Sequence, residues 1–272
     1  MESSLSLTPV SPVSPVAPYI GGKRNLAQRI CTLIDAVPHV TYAEPFVGMG
    51  GIFFRRAWRP RAEFINDRSR DVATLFRILQ RLYPQFMQFM QFQLTTRAEF
   101  ERLIATNSDT LLDMERAARF LYLQRTAFGG KVNGRTFGVA PDRSARFDIT
   151  KLGSILEEVH TRLAGVTIEC LPFQEFITRY DRKGTLFYLD PPYFGCEKDY
   201  GDGVFSRSDF MLLEEVLRGV KGRFILSIND KAEVRRIFRR FIIRPIKTTY
   251  SVGGGAKSRP AGELIITNFE SV

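Results

Sequence analysis

The chain has 272 residues, of which 44% are hydrophobic and 25% are charged, a composition typical of a globular protein with one large domain. Its 39 lysines and arginines exceed its 29 acids, and the formal charge of +10 favours a polyanionic partner such as nucleic acid. Three separated cysteines and two separated histidines indicate neither a disulfide framework nor a metal site, and they favour a reducing, cytoplasmic compartment. No apolar run approaches the roughly 20 residues of a membrane-spanning helix.

The N-terminal part of the chain predicts a disordered lead-in followed by a βαβα opening. Residues 1–18 are rich in serine, proline and valine, which is typical of an extended, poorly ordered segment. A glycine turn and a helix follow, and the stretch HVTYAEPFVGMGGIFFRRAW then predicts a strand, a glycine-bearing turn and a second helix. Another strand and helix extend to about residue 82.

The middle of the chain, residues 83–148, predicts an inserted helical domain. It contains helical patterns without a convincing strand and ends in a long, basic, glycine-rich loop of the kind that often carries function. After residue 148 strands and helices alternate again, which predicts a mostly parallel α/β sheet with helices on both faces. We expect residues 19–82 and 149–272 to form this domain, with the last two strands as a hairpin at the sheet edge.

Two loops of the expected sheet carry a nucleotide-binding pattern. Ligands of open α/β sheets bind beyond the carboxyl ends of the strands. In the segment EPFVGMGG, residues 44–51, Gly48 and Gly50 let the backbone approach a ligand because they have no Cβ. Asp67 follows 19 positions after Gly48, at about the offset of an acid that binds ribose hydroxyls. The pair favours an adenosine-containing cofactor, although Asp67 alone would also fit a helix N-terminus.

A third loop, in the segment LFYLDPPYFG at residues 186–195, predicts chemistry on an amino group. The apolar residues favour a central strand with Asp190 at its carboxyl end, and Pro191 and Pro192 stiffen the turn and remove two backbone donors. We expect Asp190 and the Pro191 carbonyl to accept the two hydrogens of an amino group. Tyr193 offers a ring on which a flat base can stack.

The motifs YIGGK, EPFVGMG and DPPY, in this order, resemble those of Dam-type DNA adenine N6-methyltransferases, and the similarity covers nearly the whole chain after residue 18. FLYLQRTAFGGKVNG is similar to the target-recognition region of that family, and the similarity includes the closing SVGGGAKSRPAGELIITNF. The resemblance implies a Rossmann-like methyltransferase sheet with an inserted target-recognition domain. It also implies S-adenosylmethionine as cofactor, double-stranded DNA as partner, a monomeric state and no required metal.

The resemblance further implies roles for individual residues. The catalytic residues are those of the DPPY motif, Asp190, Pro191, Pro192 and Tyr193. The cofactor-binding residues are Tyr19, Gly21, Gly22, Lys23, Glu44, Phe46, Gly48, Gly50, Asp67, Phe173 and Asp190. The positive charge of the loop at residues 125–146 and of the segment near residue 257 predicts the DNA-binding residues: Arg125, Lys131, Asn133, Arg135, Lys257 and Arg259. The chain departs from the family pattern at Pro172, which replaces an acid that precedes the phenylalanine in many relatives.

The expected reaction needs the target adenine outside the DNA stack, so the base must be flipped into the site. The glycine-rich loop at residues 194–207 is expected to close over it. Two alternatives stay open at this point, an RNA methyltransferase and a non-catalytic nucleic-acid-binding protein that has kept the fold. The sequence gives neither the recognition site nor the choice between restriction-modification, a phage function and chromosomal regulation.

Overall fold

A computed structural model describes residues 7–139, 142, 145–201, 203–251 and 258–270, and for 248–251 and 258–261 it describes the backbone alone. The strands are β1 (Thr8–Pro9), β2 (Thr41–Glu44), β3 (Trp58–Arg59), β4 (Ala62–Asn66), β5 (Thr167–Glu169), β6 (Thr185–Leu189), β7 (Arg223–Asn229), β8 (Ile242–Ser251) and β9 (Ser258–Thr267). The helices are α1 (Ala27–Ala36), α2 (Arg70–Met90), α3 (Arg97–Ala105), α4 (Asp113–Thr126), α5 (Ile149–Leu163), α6 (Phe173–Tyr180), α7 (Asp209–Arg218) and α8 (Ala232–Ile237). None of these described helices is long and apolar enough to cross a membrane.

The centre of the molecule is a seven-stranded sheet in the order β5-β4-β2-β6-β7-β9-β8. The first five strands in this order pair in parallel, whereas β9 is antiparallel to both β7 and β8. The sheet therefore confirms the predicted mostly parallel arrangement, with the last two strands paired at one edge. Because the strand order reverses between β2 and β6, their carboxyl ends flank the crevice in which α/β sheets bind ligands.

Helices cover both faces of the sheet. Successive strand residues point to opposite faces, so Leu186 and Tyr188 of β6 join one apolar core and Phe187 and Leu189 join the other. Helices α1 to α5 contribute to the first core, and α6, α7 and α8 contribute to the second. This two-sided burial explains why β6 reads as a continuous apolar run, and it confirms the predicted fold class.

The N-terminal segment differs from the prediction of a disordered lead-in. From Leu7 onward it is ordered, and β1 pairs with β3 through Thr8 and Arg59. Val13, Val16 and Ala17 are buried in the first core, with Val16 at 0% exposure. Burial of these apolar side chains offsets the entropy lost on ordering the segment, which its proline-rich composition did not reveal.

The segment after the glycine turn also differs from the prediction. It forms one turn of 3-10 helix, Phe53–Arg55, where a full helix was expected. Phe53, Phe54 and Arg56 are all fully buried, and they contact Arg162, Phe76 and Glu63 respectively. A surface helix buries only one stripe of its side chains, so it could not bury all three. The chain therefore leaves the turn in an extended conformation at Arg56 and enters β3.

The expected insertion is helical over α3, α4 and the end of α2, as the sequence predicts. Its expected start coincides with a kink in α2, where Leu82 has φ −130° and ψ 31°. Pro84 accounts for the kink because its ring clashes with the preceding turn of the helix. Helix α2 continues across this point, and apolar residues of α3 and α4 belong to the first core. The division into two domains stays a prediction.

Candidate active site

A cavity of about 950 Å³ opens at the carboxyl edge of the sheet, and its volume is typical of small-molecule sites. Eleven of the residues assigned from the sequence to catalysis or cofactor binding line it: Tyr19, Gly21, Gly22, Lys23, Glu44, Phe46, Gly48, Asp67, Phe173, Asp190 and Pro192. The structure thus brings the three expected loops together around one space.

Asp67, directly after β4, fixes the glycine turn. Its Oδ2 accepts the backbone N–H of Gly48 at 2.8 Å, and its Oδ1 accepts the backbone N–H of Ser69 at 2.8 Å. Burial raises the pKa of Asp67 to about 6, although both backbone hydrogen bonds act in the opposite direction. A carboxylate oxygen has more than one acceptor position, so this anchored side chain can still accept hydrogen bonds from a ligand in the cavity.

Gly48 and Gly50 both adopt positive φ, at 51° and 71°, but they have different surroundings. A Cβ at Gly48 would lie 3.1 Å from the Tyr19 ring, on the cavity side. Gly50 does not line the cavity, and a Cβ there would lie 2.3 Å from the Phe54 ring. Gly50 is therefore required by the packing behind the turn, and its expected ligand contact stays a prediction.

One side of the cavity is an aromatic wall formed by Phe46, Phe173 and Phe205. Their ring centroids lie 5.5 to 5.9 Å apart. Pro172, at the position where many relatives have an acid, lines the same side and precedes the first residue of α6. The site therefore offers flat apolar surface at this end.

The opposite end of the cavity carries a buried charge network centred on Lys23, which is 2% exposed. Its Nζ lies 2.6 Å from Asp190 Oδ1 and 3.1 Å from Glu263 Oε1, and it donates a hydrogen bond to the Tyr193 hydroxyl at 3.0 Å. That hydroxyl in turn donates to Glu263 Oε2 at 2.8 Å. The sequence-predicted Lys23 and Asp190 are therefore direct partners.

Burial raises the pKa of two carboxyl groups at this end. The pKa of Asp190 rises to about 6, because desolvation outweighs the attraction of the neighbouring Lys23 ammonium. The pKa of Glu44 rises to about 8, again through burial, although the Tyr42 hydroxyl donates a 2.5 Å hydrogen bond to this carboxyl. Near neutral pH, Asp190 is therefore mostly ionised and Glu44 mostly neutral.

The DPPY turn differs in part from its expected arrangement. Asp190 and Pro192 line the cavity, whereas Pro191 and Tyr193 do not. The Tyr193 side chain is half-buried, and the Lys23 ammonium lies 4.2 Å from the centre of its ring. One face of this ring is thus in contact with a cation.

The structure adds cavity residues that the sequence reasoning missed. The N-terminal segment contributes Ser14, Pro15, Ala17 and Pro18, and the loop at residues 194–207 contributes Tyr200, Gly203, Val204 and Phe205. Glu263 belongs to the charge network although it lies in β9. Its sequence context, GELIITN, carried a signal, since an acid inside an apolar strand is rarely buried without a partner.

Two of the arginines assigned to DNA contacts turn inward. Arg125 is half-buried, lines the cavity and donates to the Val16 carbonyl at 3.3 Å. Arg135 donates to Gln124 Oε1 at 3.3 Å, and desolvation lowers its pKa. Both therefore support the wall between the N-terminal segment and α4, and in this arrangement they do not extend toward solvent as free charges.

The remaining expected DNA contacts lie at the surface or outside the described side chains. Lys131 and Asn133 are exposed, and Asn133 donates to the Lys198 carbonyl at 3.2 Å, which joins two loops beside the cavity. Lys257 lies outside the described residues, and for Arg259 only the backbone, in β9, is described. Over the described part of the chain, no group of His, Cys, Asp and Glu residues has the arrangement of a metal site.

Comparison with known proteins identifies the family. A family model for D12 class N6 adenine-specific DNA methyltransferases matches residues 19–252. The chain is 26% identical over 272 residues to the type II methyltransferase M1.LlaDCHI of Lactococcus lactis subsp. cremoris, with 92% of this chain and 94% of that protein covered. It is 23% identical over 226 residues to the type II methyltransferase M.CviBI of Paramecium bursaria Chlorella virus NC1A, with 82% and 85% covered.

A third relative is the retron Ec67 DNA adenine methylase of Escherichia coli, which is 28% identical over 167 residues, with 58% of this chain and 57% of that protein covered. The family description names an enzyme that acts on DNA, so the alternatives of an RNA methyltransferase and of a non-catalytic binding protein are set aside. The chain belongs to the D12 class of N6 adenine-specific DNA methyltransferases.

Proposed function

We propose that Asp190 and the Pro191 carbonyl hold the N6 amino group of a flipped-out adenine at the rim of the cavity. The reaction is transfer of a methyl group from S-adenosylmethionine to adenine N6 in DNA. The position of Asp190 carries the proposal, because its side chain lines the cavity, is 22% exposed and is held by Lys23 at 2.6 Å. An ionised, anchored acceptor at this point is what a weakly nucleophilic amine requires.

The residues around the cavity fit S-adenosylmethionine. Asp67 offers a carboxylate for ribose hydroxyls, the aromatic wall offers a surface for a flat purine, and Gly48 leaves room where a Cβ would crowd Tyr19. Bound S-adenosylmethionine supplies a methyl group on a positively charged sulfur. The Asp190 carboxylate lines the cavity at this end, and its negative charge favours a cationic ligand there.

The chain's part in the transfer is to orient the amine. The N6 lone pair is delocalised into the purine ring, and two acceptors that take the N6 hydrogens favour a tetrahedral nitrogen with an available lone pair. Strand β6 fixes Asp190, and the two prolines restrict the direction of the Pro191 carbonyl. Asp190 needs little basicity, because the nitrogen becomes acidic as it acquires the methyl group.

DNA is expected to approach the rim formed by the loops at residues 128–138 and 194–207. These loops carry exposed Lys131 and Asn133, and the Asn133–Lys198 hydrogen bond joins them. Flipping the adenine costs a few kcal/mol, which phosphate contacts and stacking on the Tyr193 ring would offset. Closure of residues 194–207 over the flipped base stays part of the proposal.

Replacement of Asp190 tests the proposed roles. In Asp190→Ala, transfer of a labelled methyl group to adenine-containing duplex is expected to fall about 100-fold or more, because the amine loses its charged acceptor. Binding of S-adenosylmethionine, measured by calorimetry, is expected to weaken less than about tenfold. Unchanged transfer by a folded Asp190→Ala variant would contradict the mechanism.

We further propose a monomer that acts in the cytoplasm within a restriction-modification pair. Three free cysteines are consistent with a reducing compartment, and two relatives are named type II methyltransferases. Light scattering should give the monomer mass with and without duplex DNA. Sequencing of methylated adenines from cells that express the protein should give one shared motif, and methylation without any motif would contradict the restriction-modification role.

A further inference from the structure

Glu263, in strand β9, is the one member of the charge network to which neither the motifs nor the mechanism gives a role. We propose that Glu263 is a positioning residue for the target adenine, which acts by holding the Tyr193 ring and the Lys23 ammonium in place behind Asp190. This inference rests on the proposed function of Asp190 and Tyr193. It adds a residue 73 positions after Asp190 and outside the cavity lining.

Glu263 is buried, so its charge does not contribute to solubility. It is 0% exposed, and its backbone pairs with Asn229 of β7 on one side and Ile246 of β8 on the other. Between such strands an apolar side chain would normally stabilise the sheet more than an acid does. The adjacent β9 residues, Leu264 and Ile265, are buried apolar side chains of this kind.

The contacts of Glu263 form a closed ring of three side chains. Oε1 lies 3.1 Å from Lys23 Nζ, Oε2 accepts the Tyr193 hydroxyl at 2.8 Å, and Lys23 Nζ donates to that hydroxyl at 3.0 Å. A tyrosine held at its hydroxyl by two partners loses most of its rotational freedom. These three contacts therefore fix the orientation of the Tyr193 aromatic ring, on which the adenine is proposed to stack.

Glu263 also sets the charge that Asp190 experiences. Lys23 is shared by the two carboxylates, at 2.6 Å from Asp190 and 3.1 Å from Glu263. The pKa of Asp190 is raised first by burial and further by the negative charge of Glu263, whereas Lys23 lowers it. The charge of Asp190 in turn raises the pKa of three described groups, which come from β2, β6 and the loop after the DPPY turn: Glu44, Tyr188 and Tyr200.

The inference is tested with Glu263→Gln and Glu263→Ala in steady-state and pH-dependent methyl transfer to duplex DNA. We expect kcat to fall about tenfold in Glu263→Gln and further in Glu263→Ala, with the KM for S-adenosylmethionine within about threefold of the parent value. Loss of the Glu263 charge should also move the acid limb of kcat/KM to lower pH, because that charge raises the pKa of Asp190. Glu263→Gln preserves shape and keeps the test valid if Glu263→Ala does not fold.

A double-mutant cycle with Tyr193→Phe isolates the ring. Glu263→Gln replaces the charged acceptor of the Tyr193 hydroxyl by a neutral one and Tyr193→Phe removes the donor, so the effects of the two substitutions on kcat are expected to combine less than multiplicatively. Glu63→Gln is the matched control, since Glu63 is also buried and ion-paired but contacts Arg56 and Arg162 away from the cavity. It should lower thermal stability without changing kcat per folded enzyme or the acid limb.

The inference is overturned if Glu263→Gln keeps the parent kcat and acid limb, or if its effects are reproduced by Glu63→Gln. Multiplicative effects of Glu263→Gln and Tyr193→Phe would likewise contradict the shared ring. Asp190→Asn, measured alongside, separates this failure from failure of the proposed function. An active Asp190→Asn contradicts the proposed function itself, whereas an inactive one beside a fully active Glu263→Gln contradicts only the positioning role.

Discussion

At the scale of single residues, Asp67 links the glycine turn to the cavity through its two backbone hydrogen bonds. In Asp67→Asn, an amide NH₂ group replaces one of the two carboxylate oxygens. This donor would then face the backbone N–H of Gly48 or Ser69, and one hydrogen bond would be lost. We therefore expect S-adenosylmethionine to bind about 10- to 100-fold more weakly, measured by calorimetry.

Asp181 provides the matched control for Asp67. Its carboxylate also accepts backbone N–H groups, from Lys221 and Gly222, but it lies outside the cavity lining. Asp181→Asn is expected to lower stability and leave cofactor affinity unchanged. Equal cofactor affinity in Asp67→Asn and the parent protein would show that Asp67 does not serve the ligand.

Glu44 makes a prediction about stability and pH. Its pKa rises from an ordinary 4.5 to about 8 on folding, so the stability associated with its protonated form is lost as the pH rises toward 8. Glu44→Gln remains neutral throughout. In thermal unfolding without cofactor, the Tm advantage of Glu44→Gln over the parent should grow between about pH 5 and about pH 9.

The control for Glu44 is Glu158→Gln, at an exposed position of α5. Because this side chain is exposed, its replacement should leave the Tm close to that of the parent protein. A Tm advantage of Glu44→Gln that does not change with pH would contradict the raised pKa of Glu44.

The sequence predicted that Asp67, Gly48 and Asp190 lie at the cavity, because each is in a loop that directly follows an apolar strand. Glu263 was missed for a physical reason. Its partners Lys23 and Tyr193 are 240 and 70 positions away in the sequence. No local sequence pattern indicates which distant cation a buried acid will contact. The ligand contact of Gly50 stays a prediction, because local spacing does not distinguish a ligand-facing glycine from one that packs against Phe54.

At the scale of elements, Gln124 joins the helical insertion to the cofactor side of the cavity. Its Nε2 donates to the Pro18 carbonyl at 2.8 Å and to the Gly130 carbonyl at 2.6 Å. Gln124→Ala removes both bonds at a fully buried site, at a cost of about 1–3 kcal/mol. We expect it to weaken S-adenosylmethionine binding several-fold, since Pro18 lines the cavity and precedes Tyr19.

Gln80 is the control for Gln124 because it makes the same kind of contact elsewhere. Its Nε2 donates to the Leu163 and Val166 carbonyls at 2.7 and 2.8 Å, and it does not line the cavity. Gln80→Ala should lower the unfolding free energy comparably without weakening the cofactor. Parallel loss of cofactor affinity in both variants would mean that Gln124 acts through general stability alone.

The elements with strong periodicity were predictable, including β6, the helices of the insertion and the final strand pair. Two elements were not. The N-terminal segment is ordered by pairing of β1 with β3 and by burial of Val16, contacts that exist only once the core has formed. The expected helix after the glycine turn gives way to one 3-10 turn because tertiary burial of Phe53, Phe54 and Arg56 overrides helix propensity.

At the scale of the whole molecule, the formal charge of +10 predicts DNA binding that weakens steeply with salt. Lys131 is exposed on the loop beside the cavity, and Lys131→Ala should lower the slope of log K against log salt by about one. Lys183 is exposed in the turn before β6, at the amino ends of the parallel strands, whereas the cavity lies at their carboxyl ends. Lys183→Ala should leave the slope unchanged, and equal effects of the two substitutions would contradict the assigned DNA-facing edge.

The central claim is that Asp190 and the Pro191 carbonyl hold adenine N6 at the rim of the cofactor cavity. A crystal structure of the protein with S-adenosylhomocysteine and a duplex that contains its methylation site tests this claim most directly. We expect a flipped adenine whose N6 lies about 2.8–3.2 Å from an Asp190 carboxylate oxygen and from the Pro191 carbonyl oxygen. A flipped adenine whose N6 is held by other groups would contradict the account. So would S-adenosylhomocysteine bound outside the cavity lined by Asp67.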